Sequence, residues 1–497
     1  MYEVRKKVLW FAVLTRISIL ILQVIFNVLC PDHNANAFRT PADPTEKHTL
    51  LDNIVTFLLG GLTRWDAQYF IHIAKYGYTY ENTLAFFPLF PMLIEYMARV
   101  FRIQPPILNY SNIIVICGVI INFVCFVKAA LVLYDLSLVV FKNTKVAYRA
   151  AILFCVNPAS IFFTALYTES LFAYLTFYSM LESINNNPCV FLPLSLSSLV
   201  RSNGLVNLGF PVYFWLRNLV VIVLPNYILE NKHFHSSTRS LLFNSRHVFI
   251  SLFQIIFIII LSLLPFGYSQ VYNYIKFCKP ESNESWIPYH VKNYAIDNNL
   301  LLPGQHDFAW CNSKLPIAYS HIQNKYWNVG FLRYYEFKQI PNFLLAVPVI
   351  CIILKCCIEF FKEHRSKFLT LEFFSGISRP SDNIKRYPLE MFVFVVHALF
   401  LTTFCIFFVH IQVSTRLLCS ASPVLFWYCA LTTLEDTKMS KKVTEIEYDS
   451  PENMCSRWKV FFITEQNYSY RETLIYRYFL SYFVIGCFMY ANFLPWT

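Results

Sequence analysis

Arg64-Trp65-Asp66-Ala67 follows a long apolar segment and places one carboxylate beside aromatic rings. A carboxylate held where hydrocarbon meets water is costly unless it is paired, solvated or used. Partial desolvation makes such a group a better base towards a hydroxyl proton. Asp66, Tyr69 and Phe70 fall on one helical face, so the segment reads as a short amphipathic helix lying flat on a bilayer. Trp65 suits the same boundary, because an indole is amphipathic. The competing role for Asp66 is an N-cap on that helix.

Two further polar words could complete a reaction site. Arg201-Ser202-Asn203-Gly204 closes an apolar stretch. A guanidinium binds phosphate oxygens in pairs, and Ser202 and Asn203 add donors; the plainer alternative is an arginine snorkelling to the interface. His410-Ile411-Gln412-Val413-Ser414-Thr415-Arg416 joins two apolar runs and offers His410, Gln412 and Arg416 in one tight turn, against the alternative of a polar hairpin. Glu169, after Tyr167-Thr168, would bind sugar hydroxyls or cap a helix. Asp32-His33 would orient a substrate or a loop, and reads best as orienting the loop.

Some chemistries are missing from the sequence. It has no Asp-x-Asp pair, no glycine-rich phosphate loop and no His-Glu-x-x-His, and only 11 glycines in all. Phosphate chemistry here therefore reads as a lipid phosphate held by arginine, with no metal and no cofactor.

The elements that must position these residues are membrane helices. Of 497 residues, 56% are hydrophobic and 14% charged, and mean hydropathy is +0.44. A soluble domain carries roughly a quarter charged residues. The apolar runs approach bilayer length, and the short alternating segments of a barrel are absent. The chain reads as one all-α polytopic integral membrane domain over 1–497. The net charge of +11 fits basic cytoplasmic loops, and no soluble basic module suggests nucleic acid.

Arg5-Lys6-Lys7 precedes an apolar run from Val8 to Cys30, read as an uncleaved signal-anchor with a cytoplasmic N-terminus. Later candidate spans are 112–140, 147–164, 167–184, 189–203, 205–224, 248–268, 341–360, 389–411, 417–434 and 474–494. Segment 84–101 is apolar but broken by Pro88 and Pro91, and reads as a span, a re-entrant segment or a surface helix. Basic residues at 142–149, 217–246 and 362–386 all fall in the cytoplasm if 84–101 does not cross. Loop counting then places 31–83, which carries the Asp66 motif, and 271–340 in the lumen. It places 361–388 and 435–472 in the cytoplasm. Most of the 15 cysteines lie in apolar runs. Cys278 and Cys311 flank a polar loop with the sequon Asn283-Glu284-Ser285, and a luminal loop would allow a disulfide between them, with two free thiols as the alternative.

Arg64-Trp65-Asp66-Ala67, Ala85-Phe86-Phe87-Pro88-Leu89-Phe90-Pro91, Arg201-Ser202-Asn203-Gly204-Leu205, Tyr326-Trp327-Asn328-Val329-Gly330-Phe331, Pro341-Asn342-Phe343-Leu344-Leu345-Ala346, His410 to Arg416, and Asn492-Phe493-Leu494-Pro495-Trp496-Thr497 together resemble the PIG-V family of glycosylphosphatidylinositol (GPI) mannosyltransferases. The likeness runs from the first span to the last residue, with 435–472 unaligned. It implies a GT-C glycosyltransferase with about 10–12 transmembrane helices in the endoplasmic reticulum membrane. It also implies transfer of the second, α-1,6-linked mannose from dolichol-phosphate-mannose to a mannosylated glucosaminyl-phosphatidylinositol acceptor. On that implication Asp66 would be the base; from the residues themselves, Arg416 and Arg201 are the candidates to hold the phosphate, with His410 a third, and Trp65, Glu169, Asn203 and Gln412 read as further substrate contacts. Some relatives carry an acidic residue soon after the Trp-Asp pair, where this chain has Gln68. The rival readings are another dolichol-phosphate-sugar transferase, a polar-lipid transporter or scramblase, and a non-catalytic subunit. A transporter should show pseudo-symmetric halves, and none are evident.

Overall fold

The computed structural model describes residues 2–35, 37–102, 107–220, 238–279, 286–304, 308–314, 316–366, 386–439 and 469–496. These form α-helices joined by turns and short 3-10 segments, with no strand among the described residues. The helices are α1 Tyr2–Leu29, α2 Leu50–Leu59, α3 Ala67–Tyr76, α4 Leu89–Phe101, α5 Tyr110–Phe141, α6 Thr144–Cys155, α7 Glu169–Ile184, α8 Phe191–Ser198, α9 Gly209–Asn218, α10 Thr238–Cys278, α11 Tyr289–Asp297, α12 Ala318–Trp327, α13 Ile340–Glu363, α14 Phe392–Phe408, α15 Ser414–Ala421, α16 Val424–Met439 and α17 Tyr470–Ala491.

Six described segments are long and apolar enough to cross a membrane: Tyr2–Leu29, Tyr110–Phe141, Leu252–Cys278, Phe337–Glu363, Leu389–Phe408 and Tyr470–Ala491. A seventh arises if Ile411–Ala421 and Val424–Leu434, bent by 76°, count as one broken span. The chain is a multi-pass membrane protein. The 10–12 helices expected from the sequence count every apolar run. In the structure the runs 147–164, 167–184, 189–203 and 205–224 hold α6 to α9, which have 12, 16, 8 and 10 residues. The run 147–164 breaks at Asn157-Pro158, because proline lacks the amide proton a helix interior needs.

Segment 84–101 holds no described helix long and apolar enough to cross a membrane. Its helix α4 has 13 residues, about 20 Å, against a hydrocarbon core of about 30 Å. Phe90, Ile94 and Ala98 are buried while Met92, Tyr96 and Val100 are exposed, the pattern of a helix lying along an interface.

The bundle has two chemically different ends. Arg5 pairs with Asp135 at 3.2 Å near the C-terminus of α5. Arg149 lies 3.5 Å from Glu472 at the start of α17. At the other end of α5, Ser111 accepts from Lys75 at 2.9 Å. Segment 31–83 thus folds against the end remote from the basic N-terminus.

That segment is built as a small structured layer. Thr49 and Asp52 form a reciprocal capping box that starts α2. The Asp52 carboxylate also accepts from the Asn109 amide and the Asn112 side chain, each at 2.9 Å. Burial opposes its charge, but these donors hold it down at about 2. Helix α3 is not a flat surface helix. Ala67, Phe70, Ile71, His72, Ile73 and Ala74 are all buried, because the second polar region covers its far side. There Ile73, Tyr78 and Leu84 pack with Phe277, Phe308, Trp310 and Ile322. A Cys278–Cys311 disulfide, Cα–Cα 5.7 Å, ties α10 to this cover. The 271–340 region accordingly begins after Cys278, where α10 ends. The sequon at 283–285, and most of 361–388 and 435–472, lie outside the described residues.

Candidate active site

Asp66 stands at the N-cap position of α3 but makes no capping hydrogen bond with its side chain. Its carboxylate Oδ2 instead accepts from Arg416 Nη2 at 3.3 Å. The capping alternative from the sequence therefore does not describe its side chain. Two features set this geometry. Trp65 adopts φ of 55°, a left-handed conformation that turns the chain sharply into α3. The Asp66 amide donates to the Tyr167 hydroxyl at 3.0 Å.

Arg416 sits on the first turn of α15 and reaches two carboxylates. Besides Asp66, its Nε lies 3.9 Å from Glu169 Oε1. Its guanidinium also lies 5.3 Å from the ring centroids of both Phe162 and Tyr167. Glu169 in turn forms a short ion pair with Arg201, whose Nη1 also donates to Thr168 Oγ1 at 3.4 Å. The result is an alternating run Asp66–Arg416–Glu169–Arg201. Its exposure is graded. The Glu169 side chain is fully buried, Arg416 and Arg201 retain 16% each, and Asp66 retains 30%. Asp66 is the most open member, so it can meet a substrate hydroxyl.

Sequence reasoning missed the scaffold under this run. Arg16, fully buried in α1, donates to the Ser160 carbonyl at 2.7 Å, Thr164 Oγ1 at 2.9 Å and the Cys155 carbonyl at 3.0 Å. Asn122 in α5 donates to the Tyr167 carbonyl at 2.9 Å. Together they pin the broken segment 155–168 that delivers Tyr167 and Glu169. An arginine inside an apolar run is itself a readable signal. Its partners, 139 to 148 residues away, are not.

Other expected residues are placed differently. Trp65 meets Phe493 edge-on at 5.8 Å, in an anchoring role. Arg64 pairs with Asp32 at 2.9 Å and lies 4.6 Å from the Phe493 ring centroid. Gln68 is structural here: its amide donates to the Thr63 carbonyl at 2.7 Å and accepts from the Thr40 amide at 3.0 Å. His410 and Gln412 turn to Tyr334. His410 stacks on its ring at 4.5 Å, and Gln412 accepts from its hydroxyl at 2.8 Å. Burial lowers the pKa of His410, against a hydrogen bond to the Trp327 backbone. Asn203 buries its Nδ2 without a hydrogen-bond partner. Of the expected residues, the structure joins Asp66, Glu169, Arg201 and Arg416 in the charged run and places Trp65, Asn203, His410 and Gln412 outside it.

Comparison with known proteins identifies the family. The family described as Mannosyltransferase (PIG-V) matches residues 5–497. The chain is 36% identical to GPI alpha-1,6-mannosyltransferase 2 of Cricetulus griseus, covering 99% of each protein. It is 35% identical to the Homo sapiens protein of the same name, again over 99% of each. It is 33% identical to GPI mannosyltransferase 2 of Drosophila melanogaster, over 99% of this chain and 100% of that protein. Among solved structures, it resembles an Archaeoglobus fulgidus oligosaccharyltransferase tethered to an acceptor peptide, with TM-score 0.41 and 11% identity over 96% of this chain and 55% of that one. The chain belongs to the mannosyltransferase (PIG-V) family and is a membrane-embedded glycosyltransferase.

Proposed function

We propose that this enzyme transfers the second mannose, in α-1,6 linkage, from dolichol-phosphate-mannose to a one-mannose GPI precursor in the lumen of the endoplasmic reticulum. The relatives named for α-1,6 GPI mannosyl transfer, alike over nearly the whole chain, support the acceptor and the linkage. The charge asymmetry of the bundle supports the side: the positive-inside rule assigns the Arg5 and Arg149 end to the cytoplasm and so the Asp66 end to the lumen. A GT-C architecture is the reading that fits such a polytopic transferase.

The observation that carries the mechanism is the run Asp66–Arg416–Glu169–Arg201. Asp66 removes the proton from the acceptor mannose 6-hydroxyl as that oxygen attacks the donor anomeric carbon. The bond to phosphate breaks with inversion, and dolichyl phosphate departs with the electron pair. A departing phosphate needs charge stabilisation more than a proton, and Arg416 and Arg201 supply it. We assign no metal and no cofactor to this step. Arg416 has a second task while the site is empty: it balances Asp66, and an incoming phosphate competes for the same guanidinium. Donor binding would then loosen Asp66 from its counter-charge when its basicity is needed.

The test is an assay of purified enzyme with labelled dolichol-phosphate-mannose and a one-mannose GPI acceptor. A labelled two-mannose product is expected. Its absence, where a GPI mannosyltransferase of established activity succeeds, would remove the proposed reaction.

A further inference from the structure

A second constellation begins one turn beyond Asp66, and the reaction as described leaves it unused. Phe38 stacks on Tyr69 at 4.2 Å, and Tyr69 on Phe86 at 4.4 Å. Trp327 meets Tyr69 at 6.0 Å and Phe86 at 5.9 Å. Phe38, Tyr69 and Phe86 come from the N-terminal part of the chain and Trp327 from far along it, and all four are only partly buried. They differ in that respect from Phe70 and Phe90, which lie behind them and are fully buried. Partly exposed rings in a row leave an apolar surface that a ligand can cover.

The run is physically continuous with the charged site. The Tyr69 amide donates to the Asp66 carbonyl at 3.0 Å. Burial, and then the nearby Asp66 carboxylate, raise the pKa of the Tyr69 phenol, so it stays a neutral donor. Phe86 meets Phe70, which meets Tyr167, the residue holding the Asp66 amide.

Trp327 is the member best placed to bind. Both faces of Tyr69 are covered by stacked rings. The neighbours of Trp327 meet it edge-on or tilted, at interplanar angles of 59°, 77° and 58°, and among the described residues no ring stacks on its face. Polar groups border it. Glu81, fully buried, accepts from Tyr326 at 2.6 Å and Lys325 at 2.5 Å, and its Oε1 has no partner. Asn82 donates to the Tyr69 hydroxyl at 3.4 Å while its own buried Oδ1 is unpartnered.

The geometry points to an acceptor subsite in which a pyranose ring of the acceptor glycan lies on the open face of Trp327. The Tyr69 and Phe86 edges form its wall, and Lys325, Tyr326 and Asn82 serve its hydroxyls. An apolar ring face bordered by a few convergent polar groups is the ordinary make-up of a site for small polar ligands. The two arginines belong to the charged run and suit a phosphate. The aromatic run carries no arginine, and its charged neighbours Lys325 and Glu81 are paired with each other, so it suits a sugar; Asp66 is the residue common to both. This inference rests on the acceptor proposed above.

The test separates the two substrates. KM for the one-mannose GPI acceptor and for dolichol-phosphate-mannose are measured on the full-length enzyme and on Trp327→Ala and Trp327→Phe. Loss of the ring should raise the acceptor KM about tenfold, while phenylalanine should restore most of it and the donor KM should hold within about twofold. Equal acceptor KM values for all three proteins, or a rise confined to the donor, would overturn the subsite. So that folding of the alanine variant cannot decide the matter, wild-type enzyme is also cross-linked with a one-mannose GPI acceptor bearing a diazirine on its mannose. Labelling of the peptide holding Trp327 or Phe86 is expected, and labelling confined to other peptides would overturn the subsite. If wild-type enzyme yields no two-mannose product at all, the reaction proposed above fails, an outcome distinct from these.

Discussion

The Asp66 carboxylate and the Arg416 guanidinium lie 3.3 Å apart across a separation of 350 residues. Neither stands alone, because Arg416 also approaches Glu169, and Glu169 holds Arg201. Two acids and two bases balance in charge, which lets them sit together at the edge of an apolar bundle. In the proposed reaction a donor phosphate adds one negative charge to this run, to be shared by the two arginines.

Glu169 is therefore a positioning residue for two cations. Glu169→Gln keeps the shape and removes the charge that aligns them. The donor KM should rise by about tenfold or more, with the acceptor KM nearly unchanged, because a misaligned guanidinium loses its paired bonds to phosphate. Steady-state kinetics with each substrate varied in turn checks this. Equal rises in both KM values would mark a general collapse of the site instead.

Arg16 should matter although it touches no substrate. Arg16→Met leaves the Cys155 and Ser160 carbonyls without their donor inside the bundle. A loss of roughly 2–4 kcal/mol is expected, since buried acceptors lose a charged partner. Arg16→Lys should recover part of it, as an ammonium cannot span the same fork. Thermal unfolding of the detergent-solubilised proteins reads both effects.

The sequence made the charged site visible because charge is rare in this chain. Asp66, Glu169, Arg201 and Arg416 stand out against apolar surroundings, and each is where a lone ionisable group demands a partner. What links them is not written locally. Tyr167 lies beside Glu169 in sequence, yet its hold on the Asp66 amide depends on a contact 101 residues away. His410 and Gln412 lie close to Arg416 in sequence but face Tyr334, because they belong to the 3-10 turn Ile411–Val413 and its cap, whereas Arg416 lies on α15. Hydropathy found the apolar runs but not their breaks. Asn157-Pro158 and the glycine at 204 divide apolar stretches into short helices that carry site residues inward.

Gly204 offers a steric test of that arrangement. A Cβ at this position would lie 2.4 Å from the Ser197 carbonyl oxygen, a backbone atom that cannot swing aside. Gly204→Ala should cost at least about 2 kcal/mol and displace the neighbouring Arg201. Lower thermal stability together with a raised donor KM is the expected pair of results.

His72 predicts a pH limit on the layer that carries Asp66. It is fully buried, hydrogen-bonds Thr79 at 2.6 Å, and stacks on Tyr80 with Lys75 nearby. Burial, then Lys75, depress it from 6.5 to about 3. Above 6.5 it is neutral folded or unfolded and contributes no pH dependence. As pH falls below 6.5 the unfolded chain takes up a proton that the folded protein refuses, so stability declines progressively towards pH 3. Thermal midpoints between pH 8 and pH 5 should fall for wild type and fall less steeply for His72→Gln.

The most direct measurement compares Asp66→Asn with wild type in the two-substrate assay, alongside thermal unfolding of both proteins. Asparagine matches the carboxylate in shape and cannot accept the proton. We expect a folded protein with turnover reduced by at least about a hundredfold. A folded Asp66→Asn enzyme that forms the two-mannose product at the wild-type rate would contradict the assignment of the base.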